Sequence, residues 1–277
     1  MSKRFAAGLG TLACAITLAL TGAPAGAAST LPTLNVALSG LKGVTVSGSM
    51  VSGAVSIVGT FSGAKPGHGN SPAFGIVRLD PGVTLLQAVA AVNARHGDLN
   101  ALTPYGSLMV SAGAPSTVQT VLTPGSYVAL NESGNGQPGF ATFTVTQSAS
   151  PAALPAASAT QTAIEFGFKG PKVLHVGSMV RTINGGFLVH MDVLFGVPSA
   201  AVGHKAIRLL LAGKNRAAEK LSNNRFVTLM GPASPGAMQQ QILKAKPGYY
   251  IQACFMNTLD GRDHTQLGME RLVRIVK

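Results

Sequence analysis

Short runs rich in Val, Ile, Thr and Phe alternate with Gly, Pro, Ser and Asn along most of the chain. The clearest lie at 35–38, 55–61, 141–145, 187–195 and 272–276. Runs of this length, bounded by turn residues, predict short strands. Many of them at close spacing predict an antiparallel β-sandwich. Two stretches have a helical period instead. Residues 84–95 place Leu85, Val89 and Val92 on one face. A second helix is expected from Ala206 or Leu211 to about Lys220, although Ile207-Arg208-Leu209-Leu210-Leu211 reads equally well as a strand.

The pattern occurs twice. A strand, a Pro-Gly turn and a Tyr-led strand appear at 118–127 and again at 239–250, with Pro124-Gly125 and Tyr127 matching Pro247-Gly248 and Tyr250. Both halves open alike, with Val46-Ser47-Gly48-Ser49-Met50 beside Val176-Gly177-Ser178-Met179. A repeat of this size changes the fold expectation from one large sandwich to two tandem domains, at 31–148 and 160–277. Residues 149–159, rich in Pro, Ala and Ser and free of charge, are expected to form an extended, poorly packed linker.

Residues 1–27 have the three parts of a signal peptide: Lys3 and Arg4, an apolar stretch to Leu20, and Ala25-Gly26-Ala27. Export to the periplasm or the medium is expected, with Cys14 cut away and no integral membrane segment after the signal is removed. Cys254 then has no cysteine to pair with in an oxidising compartment. It is either a buried inert thiol or a metal ligand. The formal charge of +12 is uneven: residues 151–277 hold 15 Lys/Arg against 6 Asp/Glu. That suits an acidic redox partner or simply keeps the protein soluble. No basic run is interleaved with aromatics, which argues against nucleic acid. There is no nucleophile elbow, no phosphate loop and no zinc-protease motif, so no enzyme is expected.

The last thirty residues carry the chemistry. Cys254, His264 and Met269 offer a thiol, an imidazole and a thioether in order. Thiolate, imidazoles and a weak axial thioether form the ligand set of copper electron-transfer sites. Pro247, Gly248, Tyr250, Cys254, Phe255, Asp260, Gly261, His264, Gly268 and Met269 together resemble the C-terminal ligand loop of cupredoxins, and most closely the plastocyanin/azurin-like domains of secreted bacterial proteins. The resemblance covers about 160–277. It implies tandem cupredoxin-like Greek-key sandwiches with short helical insertions, copper as the cofactor and a role in electron transfer or copper handling. The sequence departs from that loop in one respect. Nine residues separate Cys254 from His264, where such loops have two to four. Asp260-Gly261 is a turn signal that could fold the excess into a hairpin.

The resemblance also implies a first histidine from an earlier strand. A constant offset of 131 residues, taken from Gly82 and Gly213, sets His204 opposite Ala73 and makes His204 the expected ligand. His190 and His175 compete with it: His190 reads as a structural histidine inside a strand, His175 as a surface residue. The expected metal set is therefore His204, Cys254, His264 and Met269, with His264 nearest solvent, Asp263 as its hydrogen-bond acceptor and Met256 as a spare thioether. An offset of 123 puts Asn131 opposite Cys254, so the first half is expected to be a copy without ligands, and its His68 and His96 to lie in surface loops. The alternative is a metal-free β-sandwich binding or structural module of the cell envelope.

Overall fold

The computed structural model describes residues 30–63, 71–134 and 138–277. The expected signal peptide and His68 lie outside these residues. The first half runs β1 (Thr33–Ser39), β2 (Gly43–Gly48), β3 (Gly53–Ser62), β4 (Ala73–Leu79), α1 (Leu85–Ala94), β5 (Gly106–Gly113), β6 (Ser116–Leu122), β7 (Gly125–Asn131) and β8 (Gly139–Val145). The second half runs β9 (Ala159–Ile164), β10 (Gly167–Lys169), β11 (Val173–His175), β12 (Met179–Asn184), β13 (His190–Val197), α2 (Ala200–Leu211), α3 (Asn215–Glu219), β14 (Phe226–Ala233), β15 (Met238–Ile242), β16 (Gly248–Ala253) and β17 (Glu270–Val276). The expected all-β class with short helical insertions holds.

The strand pairings of the first half recur in the second. β1 runs parallel to β3, which pairs antiparallel with β6; β9 runs parallel to β12, which pairs antiparallel with β15. The sheet β5-β4-β7-β8 has its counterpart in β14-β13-β16-β17. Each half closes its sandwich over its own apolar core, around Leu34, Ile57, Phe74 and Tyr127 in the first and Leu174, Leu194, Leu229 and Tyr250 in the second. The two Tyr-led strands are equivalent in detail. Tyr127 and Tyr250 are both fully buried, and each hydroxyl donates to the carbonyl four residues back, Thr123 at 2.9 Å and Lys246 at 2.7 Å. Such a bond lets a tyrosine bury its ring and still satisfy its hydroxyl at a sandwich corner.

The halves share the eight-stranded sheet β10-β9-β12-β15-β6-β3-β1-β2, joined where Gln240 of β15 pairs with Gln119 of β6. Their other sheets meet where Gly231 lies against Ser111; a Cβ on that glycine would run into the serine hydroxyl. Leu108 and Ser234 exchange backbone and side-chain hydrogen bonds across the same contact. The segment 149–158 has no regular element, yet it is well tied down. Ala54 N donates to Ala152 O, and Gln240 and Arg181 side chains both donate to Pro155 O. Its carbonyls serve as acceptors for both halves.

Helix α1 starts as the sequence indicates, with Thr84 and Gln87 forming a reciprocal cap. The second helical region differs from expectation. Ala200–Leu211 is one amphipathic helix capped by Ser199, burying Gly203, Ala206 and Leu210. The run 207–211 is therefore helical, because its buried positions follow a period of three to four rather than two. Among the described residues no helix is long and apolar enough to cross a membrane.

Candidate metal centre

Three donors converge in the second half: His190 at the start of β13, Cys254 just after β16, and His264 in the short 3-10 turn His264–Leu267. All three are fully buried. His190 Nδ1 lies 3.1 Å from His264 Nδ1 and 3.8 Å from Cys254 Sγ, and His264 Nδ1 lies 3.4 Å from that sulfur. A triangle with these sides has a centre about 2.0 Å from every corner, the length of a metal bond to imidazole nitrogen and somewhat short of the about 2.3 Å of one to thiolate sulfur. Met269, also fully buried, packs against Cys254 together with Met191 and Met256.

The long gap folds as the turn signal suggests. Asn257 bridges to Asp263, Thr258 N donates to Arg262 O, and Gly261 takes φ 83° at the tip. His264 N then donates to Met256 O at 2.7 Å, bringing the imidazole back beside the thiol. Met269 returns the same way, its N–H donating to His264 O and its carbonyl accepting from Cys254 N.

His190 is oriented from outside the triangle. Its Nε2 lies 3.0 Å from Glu165 Oε1, and that oxygen also accepts from Phe187 N and Leu188 N. A carboxylate on Nε2 fixes the tautomer with the proton there and leaves the Nδ1 lone pair aimed at the centre. Met191 N donates to Cys254 Sγ at 3.3 Å and fixes the sulfur in turn.

Electrostatics favour neutral donors in the metal-free pocket. Burial pushes the Cys254 thiol up to about 12, against the pull of the Met191 and Met256 amides. Burial and then the neighbouring His190 push His264 down to about 4. Burial also lowers His190, opposed by Glu165. Two neutral imidazoles in contact at 3.1 Å beside a buried thiol suit a cation that takes the thiol proton's place. Two imidazoles, a thiolate and an adjacent thioether suit copper.

Of the expected set, the structure brings Cys254, His264 and Met269 together and leaves His204 out. His204 is exposed on α2. The constant offset fails because Gly82 precedes α1 whereas Gly213 follows α2, so the two glycines are not equivalent. Register through the central strands corrects it: Phe74 pairs with Asn131, and Val193 with Ala253. With Asn131 matched to Cys254, the place of His190 falls on Pro72.

Two smaller expectations are also corrected, while Met256 keeps its place beside the cluster. His264 is sealed from solvent, with the Phe166 ring against it edge-on at 5.0 Å. Asp263 does not hold His264; it accepts from Asn257 at 2.6 Å and from Asn215, and caps the 3-10 turn. Met256 lies beyond the end of β16 and packs on the cluster from there. His175 lies exposed at the end of β11, with Nδ1 3.1 Å from Lys277 O, and His96 is exposed in a loop. Among the described residues the first half gathers no comparable cluster. Asn131 donates instead to the Gly40 and Gly43 carbonyls at 3.2 and 2.8 Å.

No family model and no curated protein matches the chain. Among solved structures it is similar to dithionite-reduced auracyanin from the photosynthetic bacterium Roseiflexus castenholzii, at 17% identity over 44% of this chain and 100% of that one, TM-score 0.28. It is similar to auracyanin A, a "blue" copper protein from Chloroflexus aurantiacus, at 15% identity over 42% and 96%, TM-score 0.26. It is also similar to the copper-containing nitrite reductase of Thermus scotoductus, at 10% identity over 88% and 67%, TM-score 0.26.

Proposed function

We propose that the chain is an exported, cupredoxin-like protein that binds one copper ion through His190, Cys254 and His264, with Met269 beside them, for electron transfer or copper handling. The observation that carries this reading is the buried triangle of two imidazole nitrogens and one sulfur, each within 3.8 Å of the other two. Bound copper supplies one-electron chemistry. The protein's part is to hold the donors still and dry. Glu165 holds the His190 ring, the Met191 amide holds the sulfur, and Phe166 covers His264. Donors fixed by sheet, loop and carboxylate move little when the charge at their centre changes, which keeps the reorganisation cost of electron transfer low.

The domain division 31–148 and 160–277 fits the repeated pairings, with the first half a copy that has lost its ligands. The excess of Lys and Arg in 151–277 fits an acidic redox partner. A carrier rather than an enzyme fits the sealed pocket, which leaves no open position for a substrate.

The test is titration of the full chain with Cu(II). One equivalent should produce an intense visible thiolate-to-copper band that Cys254→Ser abolishes, since a hydroxyl does not donate as a thiolate does. Absence of the band, with Cys254 still reacting as a free thiol in unfolded samples containing copper, would favour the metal-free module instead.

A further inference from the structure

The first half holds a cavity that the copper reading does not use. It measures about 530 Å³, within the range that takes a drug-sized ligand. Its floor is the β4-β7-β5 face, through Val77, Val128 and Leu108, and its roof is the apolar face of α1. The two halves differ in how their helices sit. In the second, α2 lies directly on the sheet, close enough that a Cβ on Gly203 would run into Leu272. In the first, Leu85 and Val92 of α1 pack against the cluster of Leu102 and the sheet, and with Val89 they also line the cavity left between helix and sheet.

One ionisable group enters that space. Glu132 follows β7 at the position matching Phe255, whose ring in the second half packs against Phe195 beneath α2. Gly75 makes room for the carboxyl: a Cβ there would collide with Glu132 Oε1. Glu132 Oε2 accepts from Ser111 Oγ at 3.2 Å. No basic side chain is among the described residues lining the cavity. Burial pushes the carboxyl up to about 7, with the Ser111 bond opposing. A carboxyl held among apolar side chains without a cation is costly unless a partner arrives.

We propose that this cavity binds a small apolar amine, its hydrocarbon body under α1 and its ammonium group on Glu132. The charge of Glu132 selects a cation over an acid. The apolar lining selects a hydrocarbon body over a sugar or a nucleotide, which would leave many polar groups unpaired.

1-Adamantylamine is a suitable probe, with 1-adamantanol as its neutral counterpart and 1-adamantanecarboxylate as its anionic one. Calorimetric titration of the full chain at pH 8 should show one amine per chain, bound at least about 10-fold more tightly than the carboxylate, as a charge-assisted hydrogen bond implies. Glu132→Gln should weaken the amine about 10-fold or more and leave the alcohol unchanged. Ala88→Leu, which fills the cavity from α1, should abolish binding of both while circular dichroism shows the fold retained. Amine binding that is undetectable at millimolar probe, or indifferent to Glu132→Gln, overturns the proposal. So does binding that survives Ala88→Leu. Copper content plays no part in any of these readings.

Discussion

Replacing His190 and His204 one at a time separates the ligand set read from the structure from the one read from the sequence. His190→Ala removes one of three donors and leaves Glu165 without its imidazole partner. Loss of a partner outside the ligand shell costs about 10–100-fold in metal affinity, so loss of a ligand should cost more than about 100-fold. That is about 2.7 kcal/mol or more at 25 °C. His204 is exposed on α2, and substitution at a surface site away from such features changes stability by less than about 0.5 kcal/mol. His204→Ala should therefore alter copper affinity by no more than about twofold. Competition against a chelator of known affinity measures both, with the thiolate band reporting occupancy and circular dichroism of the metal-free proteins reporting the fold. Loss of copper by His204→Ala with retention by His190→Ala would refute the geometric assignment. Retention by both would show that the triangle is not the site.

Glu165→Ala should weaken copper about 10–100-fold without removing the band, and Glu165→Gln should recover part of the loss, because an amide oxygen still accepts from the imidazole; chelator competition distinguishes the three proteins. Tyr127→Phe and Tyr250→Phe should each cost about 1 kcal/mol in urea unfolding, and a large difference between them would contradict the equivalence of the two strands. The raised Glu132 carboxyl favours the folded protein below its ordinary value of 4.5, and that contribution is lost as pH rises through about 7. Urea unfolding should show lower stability at pH 8 than at pH 5. Glu132→Gln should remove on the order of 2 kcal/mol of that difference, and an unchanged difference would show that the carboxyl is solvated.

What the sequence made legible was local. β1 alternates buried and exposed residues along its whole length, so a period of two found it. The helical period over 84–95 marked α1, and the Pro-Gly-Tyr blocks marked the equivalent strands. The hairpin between Cys254 and His264 was legible in Asp260-Gly261. His190 was hidden because it opens an apolar strand, where a histidine is usually structural. Its signal was Asp192, two residues on and also fully buried. Two polar residues on one face of a buried strand imply a polar cluster at its end. Glu165 gave no local signal. It reaches His190 from the β9–β10 turn, a contact that only the folded sheet creates. The error at His204 came from sliding one half along the other without allowing for different positions of the helix relative to its glycine.

The comparison between halves also bears on why the cluster exists. Where the second half has Cys254, the first has Asn131, fully buried and bonded to two loop carbonyls. That arrangement satisfies its polar atoms and supports the same sandwich. The second half forgoes this solution. It buries a thiol and two imidazoles with facing nitrogens and leaves His264 Nε2 without a hydrogen-bond partner. Nearby, Asp192 keeps one oxygen unpaired, although Gln252 binds the other. Each unpaired buried group costs about 1–3 kcal/mol, a substantial part of the stability of an ordinary domain. A fold that has a cheaper alternative next door, in the same chain, does not need this cluster for its own sake. The cost is understandable when a cation occupies the centre of the triangle, because it bonds the sulfur and both imidazole nitrogens at once.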